Sequence, residues 1–210
     1  MINPKYTALL VIDVQNDFCS SSGEMAKKNK DLSYIEETIP KIAKTIDQCR
    51  DTGMTIIFIN TEHQQYTDSQ TWGARGEAAK KVCTTEWGRQ LYKLELKRTD
   101  IVVSKNRYSA FIGTNLDLIL RSNKIEHLLF AGFTTNVCVE STVREGFMRD
   151  YSTITLSDCT ASYSDVEHKH ALHILSNYFG VVMTWKEVFE KLTHRNNQDY
   201  LNASSNNLSG

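Results

Sequence analysis

The feature that most constrains this chain is a series of apolar segments of strand length that lack the in–out alternation of a half-exposed strand. Thr7–Val14 (TALLVIDV) is apolar almost throughout, the mark of a strand covered on both faces. Met54–Asn60 (MTIIFIN) and His127–Phe133 (HLLFAGF) have the same character, and Ile101–Ser104, Ser152–Leu156 and Val181–Met183 bring the strands to six. Helical patterns separate them. Ile39, Ile42, Ala43, Ile46 and Cys49 recur at helical spacing. Pro40 is expected in that helix's first turn, where its missing N–H costs nothing, and Gly53 supplies the stop. Further helices are expected around Gly88–Leu96, from Thr114 with Asp117 as a capping-box partner, over Cys138–Arg149 after a tight turn at Thr134–Val137, and from Ser164 with Glu167 to Phe179. A last one follows Thr184, capped by Glu187. Ser20–Lys30 reads as a polar loop, and residues 61–99 are the least regular part. Six strands alternating with helices predict an α/β fold with a mainly parallel sheet and helices on both faces.

At 210 residues the chain fits one domain, assigned to residues 1–195, followed by a polar tail over 196–210 (NNQDYLNASSNNLSG). Lys and Arg number 24 against 25 Asp and Glu, so the basic excess of a nucleic-acid binder is missing. No apolar run approaches the ~20 residues that cross a bilayer, and the first residues lack the pattern of a signal peptide. Five cysteines at 19, 49, 83, 138 and 159 show no CxxC spacing. An odd count without a secretory signal predicts reduced thiols and a cytoplasmic protein. One of them is then free to be catalytic.

In parallel sheets the ligand crevice lies beyond the carboxyl ends of the strands. That rule selects Asp13 after the first strand, Lys105 after the third and Cys138 after the fourth. Each has an ordinary alternative: an aspartate capping a loop, a solvated lysine, a cysteine serving as a small buried hydrophobe. Cys138 is the most informative, because a strand–turn–helix setting offers helix-terminal amides that stabilise a thiolate and a developing oxyanion. Together the three form a coherent set. Asp13 would move protons, Cys138 would attack a carbonyl and carry the acyl group, and Lys105 would act on the thiolate rather than on the core. The backbone amides of Thr134 and Cys138 would hold the oxyanion.

At Val11–Phe18 (VIDVQNDF), Lys105–Phe111 (KNRYSAF) and Gly132–Gly146 (GFTTNVCVESTVREG) the chain resembles the isochorismatase-like cysteine hydrolases. The resemblance spans about residues 6–190 and implies a three-layer α/β/α fold and an Asp13–Lys105–Cys138 triad. It also implies a non-proline cis peptide at Phe133–Thr134, a homo-oligomer (dimer or tetramer), and a small-molecule amide substrate. By family position Asn16, Phe18 and Tyr108 line the pocket, while Trp87 and the loop around Trp72 close it. Nicotinamidases of this family carry an Asp-x-His pair and a second histidine after the second strand. Here that stretch reads Thr61-Glu62-His63-Gln64-Gln65-Tyr66 without a second histidine up to Trp87, so no metal and no cofactor is expected. His168, His170 and His173 lie on one helix, but spacings of two and five cannot aim all three at one ion. They are expected on an ordinary, partly exposed surface.

The segment Leu116–Tyr151 is most similar to ureidoacrylate amidohydrolases and biuret hydrolases, which points to cleavage of a ureido or carbamoyl C–N bond. Three alternatives stay open: another amide such as a nicotinamide-like or N-carbamoyl amino compound, an ether- or ester-cleaving enzyme of the isochorismatase type, and a catalytically silent binding protein. The intact triad counts against the last.

Overall fold

The computed structural model describes residues 2–74 and 81–192; the expected polar tail lies outside the described residues. A 3-10 turn at Pro4–Tyr6 leads into β1 (Thr7–Ile12). The chain continues through α1 (Asn16–Cys19), α2 (Glu24–Lys27), α3 (Ser33–Asp51) and β2 (Thr55–Thr61) to two single-turn helices, α4 (Gln70–Gly73) and α5 (Glu86–Arg89). Then follow β3 (Ile101–Lys105), α6 (Leu116–Ser122), β4 (His127–Phe133), a π-helical turn at Thr135–Val139, α7 (Glu140–Met148), β5 (Ser152–Ala161), α8 (Asp165–Tyr178) and β6 (Val181–Met183). A final helix, α9, occupies residues 185–192.

The six strands form one sheet in the order β3-β2-β1-β4-β5-β6, and every pairing is parallel. Strand side chains alternate between two cores. Leu9, Val11, Ile56, Phe58 and Leu129 pack with Ile35, Ile39, Ile42 and Ile46 of α3 and with Val188 and Leu192 of α9. Ala8, Leu10, Ile12, Ile57 and Phe130 face the other way, onto Leu116 and Leu120 of α6, Val143 of α7 and Leu175 of α8. This is the three-layer α/β/α arrangement, and it explains why the strands are apolar throughout: neither face meets water.

Several local expectations are corrected. Helix α3 starts at Ser33, which places Pro40 inside it. The lost N–H bond is outweighed by the stripe from Ile35 to Cys49 that the longer helix buries. The helix expected around Gly88–Leu96 stops at Arg89, because Leu91 bridges Gln15 and the Tyr92 amide donates to the Val14 carbonyl. Thr114 does not cap with Asp117. Its hydroxyl donates to the Ala110 carbonyl and accepts from the Leu116 amide (3.1 Å), while Asp117 accepts from the Tyr151 hydroxyl instead. Ser164 occupies the N-cap of α8 without a side-chain cap bond, whereas Thr184 and Glu187 form the reciprocal box expected of them. The helix over Cys138–Arg149 is also displaced: Cys138 sits within the π-helical turn and α7 proper begins at Glu140.

The sheet grows in opposite directions from the β1–β4 pair, and there the chain is tightest. Gly132 pairs with Ile12 and has φ +111°, and a Cβ on it would lie 2.0 Å from the Ile12 carbonyl oxygen. Only glycine meets both conditions. Gly132→Ala is therefore expected to destabilise the protein by roughly 2–5 kcal/mol through combined backbone strain and overpacking. Urea unfolding of the variant measures this, and wild-type stability would contradict the close approach.

Candidate active site

The reversal point of a doubly wound sheet leaves a crevice between diverging loops, and here the loops after β1 and β4 border it. Asp13 ends β1 with φ 54°, a left-handed conformation that aspartate tolerates better than most residues. Its amide still donates to the Ile59 carbonyl of β2 (2.8 Å), so the strand holds the backbone while the side chain turns to the sheet's edge. Lys105 closes β3, two strands away. Parallel neighbours lie about 4.8 Å apart, so only a long side chain crosses β2 to reach Asp13. Lys105 Nζ meets Asp13 Oδ2 at 2.9 Å and Cys138 Sγ at 3.4 Å.

Thr61, at the end of the strand between them, links both charges. Its amide and hydroxyl donate to Asp13 Oδ1 (3.0 and 2.8 Å), and its hydroxyl oxygen accepts from Lys105 Nζ (2.7 Å). Gln15 clamps Thr61 from below, accepting from the Thr61 amide (2.8 Å) and donating to its carbonyl (3.0 Å). The Arg107 carbonyl is a further acceptor for Lys105 at 3.2 Å. Asp13 is 0% and Lys105 1% exposed. Lys105 is thus sealed within the core, where its charge was expected to act on the thiolate rather than on the core.

Burial works against the Lys105 charge, but the Asp13 and Cys138 charges outweigh it and hold the ammonium protonated above its ordinary range. Burial, then the Asp13 charge, push the Cys138 thiol well up, against the lowering effect of Lys105. The shift favours the protonated form of the Cys138 thiol. Burial raises the other thiols as well, and all five cysteines are free.

The peptide between Phe133 and Thr134 is cis. The cleft above the three side chains has a volume of about 310 Å³, with Thr134, Val137 and Cys138 in its lining. Of the expected pocket residues, Phe18 and Tyr108 line it. Asn16 and Trp87 do not: the Asn16 side-chain amide donates to the Trp87 carbonyl (2.8 Å), and Trp87 is 43% exposed, beside Asp17 and Lys81. Trp72 is the tryptophan in the cleft, its ring 5.5 Å from His63 and 4.9 Å from Tyr108. The Arg107 guanidinium stacks on Trp72 at 4.9 Å.

His63 pairs with Asp68 through Nδ1 (2.9 Å). Among the described residues no group of three or more His, Cys, Asp and Glu is placed to hold a metal ion, and none of their helices is long and apolar enough to cross a membrane. Thr61 and Gln15 carry no role of their own among the expectations from sequence. The strand-end rule that selected Lys105 would have found Thr61, whereas Gln15, two residues after Asp13, is marked only by its place in the Val11–Phe18 stretch. Asp17, in the same stretch, is likewise without an expected role. Its buried carboxylate accepts from the Cys83 amide (2.7 Å) and the Glu24 amide (3.3 Å), tying together two walls of the cleft.

Comparison with known proteins places this geometry in context. The family model for the isochorismatase domain matches residues 7–187. The chain is 33% identical over 215 aligned positions to the ureidoacrylate amidohydrolase RutB of Caulobacter segnis, covering 92% of this chain and 90% of that protein. It is 35% identical over 197 positions to the ureidoacrylate amidohydrolase RutB of Serratia proteamaculans, covering 85% and 79%. A crystal structure of a cysteine hydrolase from Pseudomonas syringae pv. phaseolicola superposes with a TM-score of 0.82 at 26% identity, covering 92% of this chain and 95% of that one.

Lys105→Met leaves the Asp13 carboxylate buried without its counter-charge and is expected to cost about 3–5 kcal/mol, the usual penalty for breaking a buried pair. It also removes the one cation that lowers the Cys138 pKa, so alkylation of Cys138 by iodoacetamide should slow further at neutral pH. Chemical unfolding and peptide-mapped alkylation measure the two effects. An unchanged unfolding midpoint would show that the pair is not a buried one.

Proposed function

We propose that this chain, which belongs to the isochorismatase family, is a cysteine amidohydrolase that cleaves the C–N bond of a small ureido or carbamoyl compound. The single observation that carries the reading is Lys105 Nζ shared between Asp13 Oδ2 and Cys138 Sγ in a buried cleft. An acid/base, a fixed cation and a thiol within hydrogen-bond reach form the usual pattern of an activated nucleophile. A binding protein has no need of it.

On this reading the Cys138 proton passes to Asp13 as Sγ attacks the substrate carbonyl. The amides of Thr134 and Cys138 receive the developing oxyanion. Asp13 returns the proton to the leaving nitrogen, ammonia or an amine departs, and a thioester remains on Cys138. Water then attacks the thioester, gives a proton to Asp13, and releases the acid and the thiolate, which takes the proton back. Lys105 stays charged throughout and stabilises whichever neighbour is anionic.

The relatives named for ureidoacrylate support the ureido class. So does the charge of the cleft, whose lining includes Lys28, Lys30 and Arg107 against Glu167, a balance that suits a carboxylate-bearing substrate. The aromatic wall of Trp72 and Tyr108 offers flat surface to a planar ureido group. Phe18 contributes from the opposite loop.

Cys138→Ala should turn over at background rate, because deleting a covalent nucleophile removes the pathway rather than one contact. Rapid quenching and peptide mass mapping of the wild type should find the acyl adduct on Cys138. Replacing Cys19, Cys49, Cys83 or Cys159 with Ala should leave kcat within a few-fold in the folded variants. For the substrate class, kcat/KM for ureidoacrylate is expected to exceed that for nicotinamide. An adduct on another cysteine would reject the mechanism, and a preference for nicotinamide would reject the substrate class.

A further inference from the structure

Three histidines lie along α8, and the proposed chemistry uses none of them. His170 and His173 are exposed. His168 is different: its ring turns inward, and Nδ1 meets the Thr135 hydroxyl at 2.8 Å. Thr135 is fully buried. It is the first residue of the π-helical turn that presents Cys138, and it directly follows Thr134. We propose that His168 is a positioning residue for the reaction, fixing the start of this turn from outside the cleft through the Thr135 hydroxyl.

Short π-helical segments are uncommon and depend on their surroundings. This one is tied by side chains along its length. At its end, the Thr142 hydroxyl donates to the Cys138 carbonyl (2.6 Å) and accepts from the Ala110 amide (3.1 Å). In the middle, Asn136 Oδ1 accepts from the Ser162 hydroxyl (2.8 Å). His168 supplies the tie at the beginning, next to the Thr134 amide proposed for the oxyanion. A buried hydroxyl that loses its partner keeps the full desolvation penalty, so the turn is driven to rearrange when the ring is removed.

The role is positional rather than electrostatic. The ring is reached from the backbone of Ser157 as well as from Thr135, and burial pushes its pKa below the ordinary histidine range. At neutral pH it is therefore uncharged and adds no net field at the sulfur.

The inference rests on Cys138 as the nucleophile, so its test has one arm that does not depend on catalysis. Three variants are made in the full chain: His168→Leu, which removes the polar contact; His168→Asn, whose amide places a hydrogen-bonding atom near the position of Nδ1; and Thr135→Val, which removes the hydroxyl alone. His168→Leu and Thr135→Val should each lower kcat by roughly tenfold or more, as expected when a nucleophile is displaced by a fraction of an ångström, with KM changed less than twofold. His168→Asn should recover most of kcat, and the double variant His168→Leu/Thr135→Val should be no worse than either single. Amide hydrogen exchange over residues 134–139 should quicken in His168→Leu and Thr135→Val and return towards wild type in His168→Asn. Wild-type kcat and exchange in His168→Leu overturn the proposal. So does a His168→Asn variant as slow as His168→Leu, because the ring would then matter only as bulk. Should Cys138→Ala retain turnover, the mechanism falls, while the exchange arm still decides whether His168 holds the turn.

Discussion

The buried pair of Asp13 and Lys105 is the interaction on which the rest of the site depends. Each charge on its own would be several kcal/mol too costly to bury, and mutual attraction offsets this only when hydrogen bonds satisfy the remaining lone pairs and protons. Thr61 donates twice to the carboxylate and accepts once from the ammonium, while Gln15 holds Thr61 at both its amide and its carbonyl. On the proposed mechanism the same pair would make the thiol usable. Transfer of the Cys138 proton to Asp13 would pass negative charge from one atom beside Lys105 to another. The buried site would gain no net charge, so the desolvation cost would not be incurred again at the proposed step.

This arrangement needs the sheet order. Asp13 and the Cys138 turn follow adjacent strands, β1 and β4, at the point where the sheet reverses its direction of growth. Lys105 comes from the far side of β2, and the width of a single intervening strand suits the length of a lysine side chain. Gly132 permits the closest approach of β4 to β1 immediately before the chain turns into the cleft. A side chain there would separate the two loops that must meet.

Around this rigid floor the walls are built from less regular chain. The buried carboxylate of Asp17 gathers the amides of Cys83 and Glu24, and Trp72 sits between His63 and Tyr108. The Asp17–Cys83 and Trp72–Tyr108 contacts join segments far apart in sequence. They border the cleft, whereas Asp13, Lys105 and Cys138 form the floor on which the proposed reaction would take place.

The fold class and the convergence of Asp13, Lys105 and Cys138 were legible in the sequence because both follow from strong local patterns. Uninterrupted apolar strands demand cover on two faces, and reactive side chains at strand ends of a parallel sheet are brought to one edge whatever the connections between them do. The start of α3 was not legible, since the burial of Ile35 and Ile39 overrides the local preference of Pro40. Nor was the missing partnership of Thr114 with Asp117, whose carboxylate is taken by Tyr151, or the unused cap at Ser164. Tertiary structure alone decided that Trp72 rather than Trp87 lines the cleft, that Lys105 is sealed within the core, and that His168 turns in while its helix neighbours His170 and His173 face out. The physical reason is common to all three: periodicity reports which face of an element is apolar, but the partner that a polar or aromatic side chain finds is set by distances between segments that no local pattern encodes.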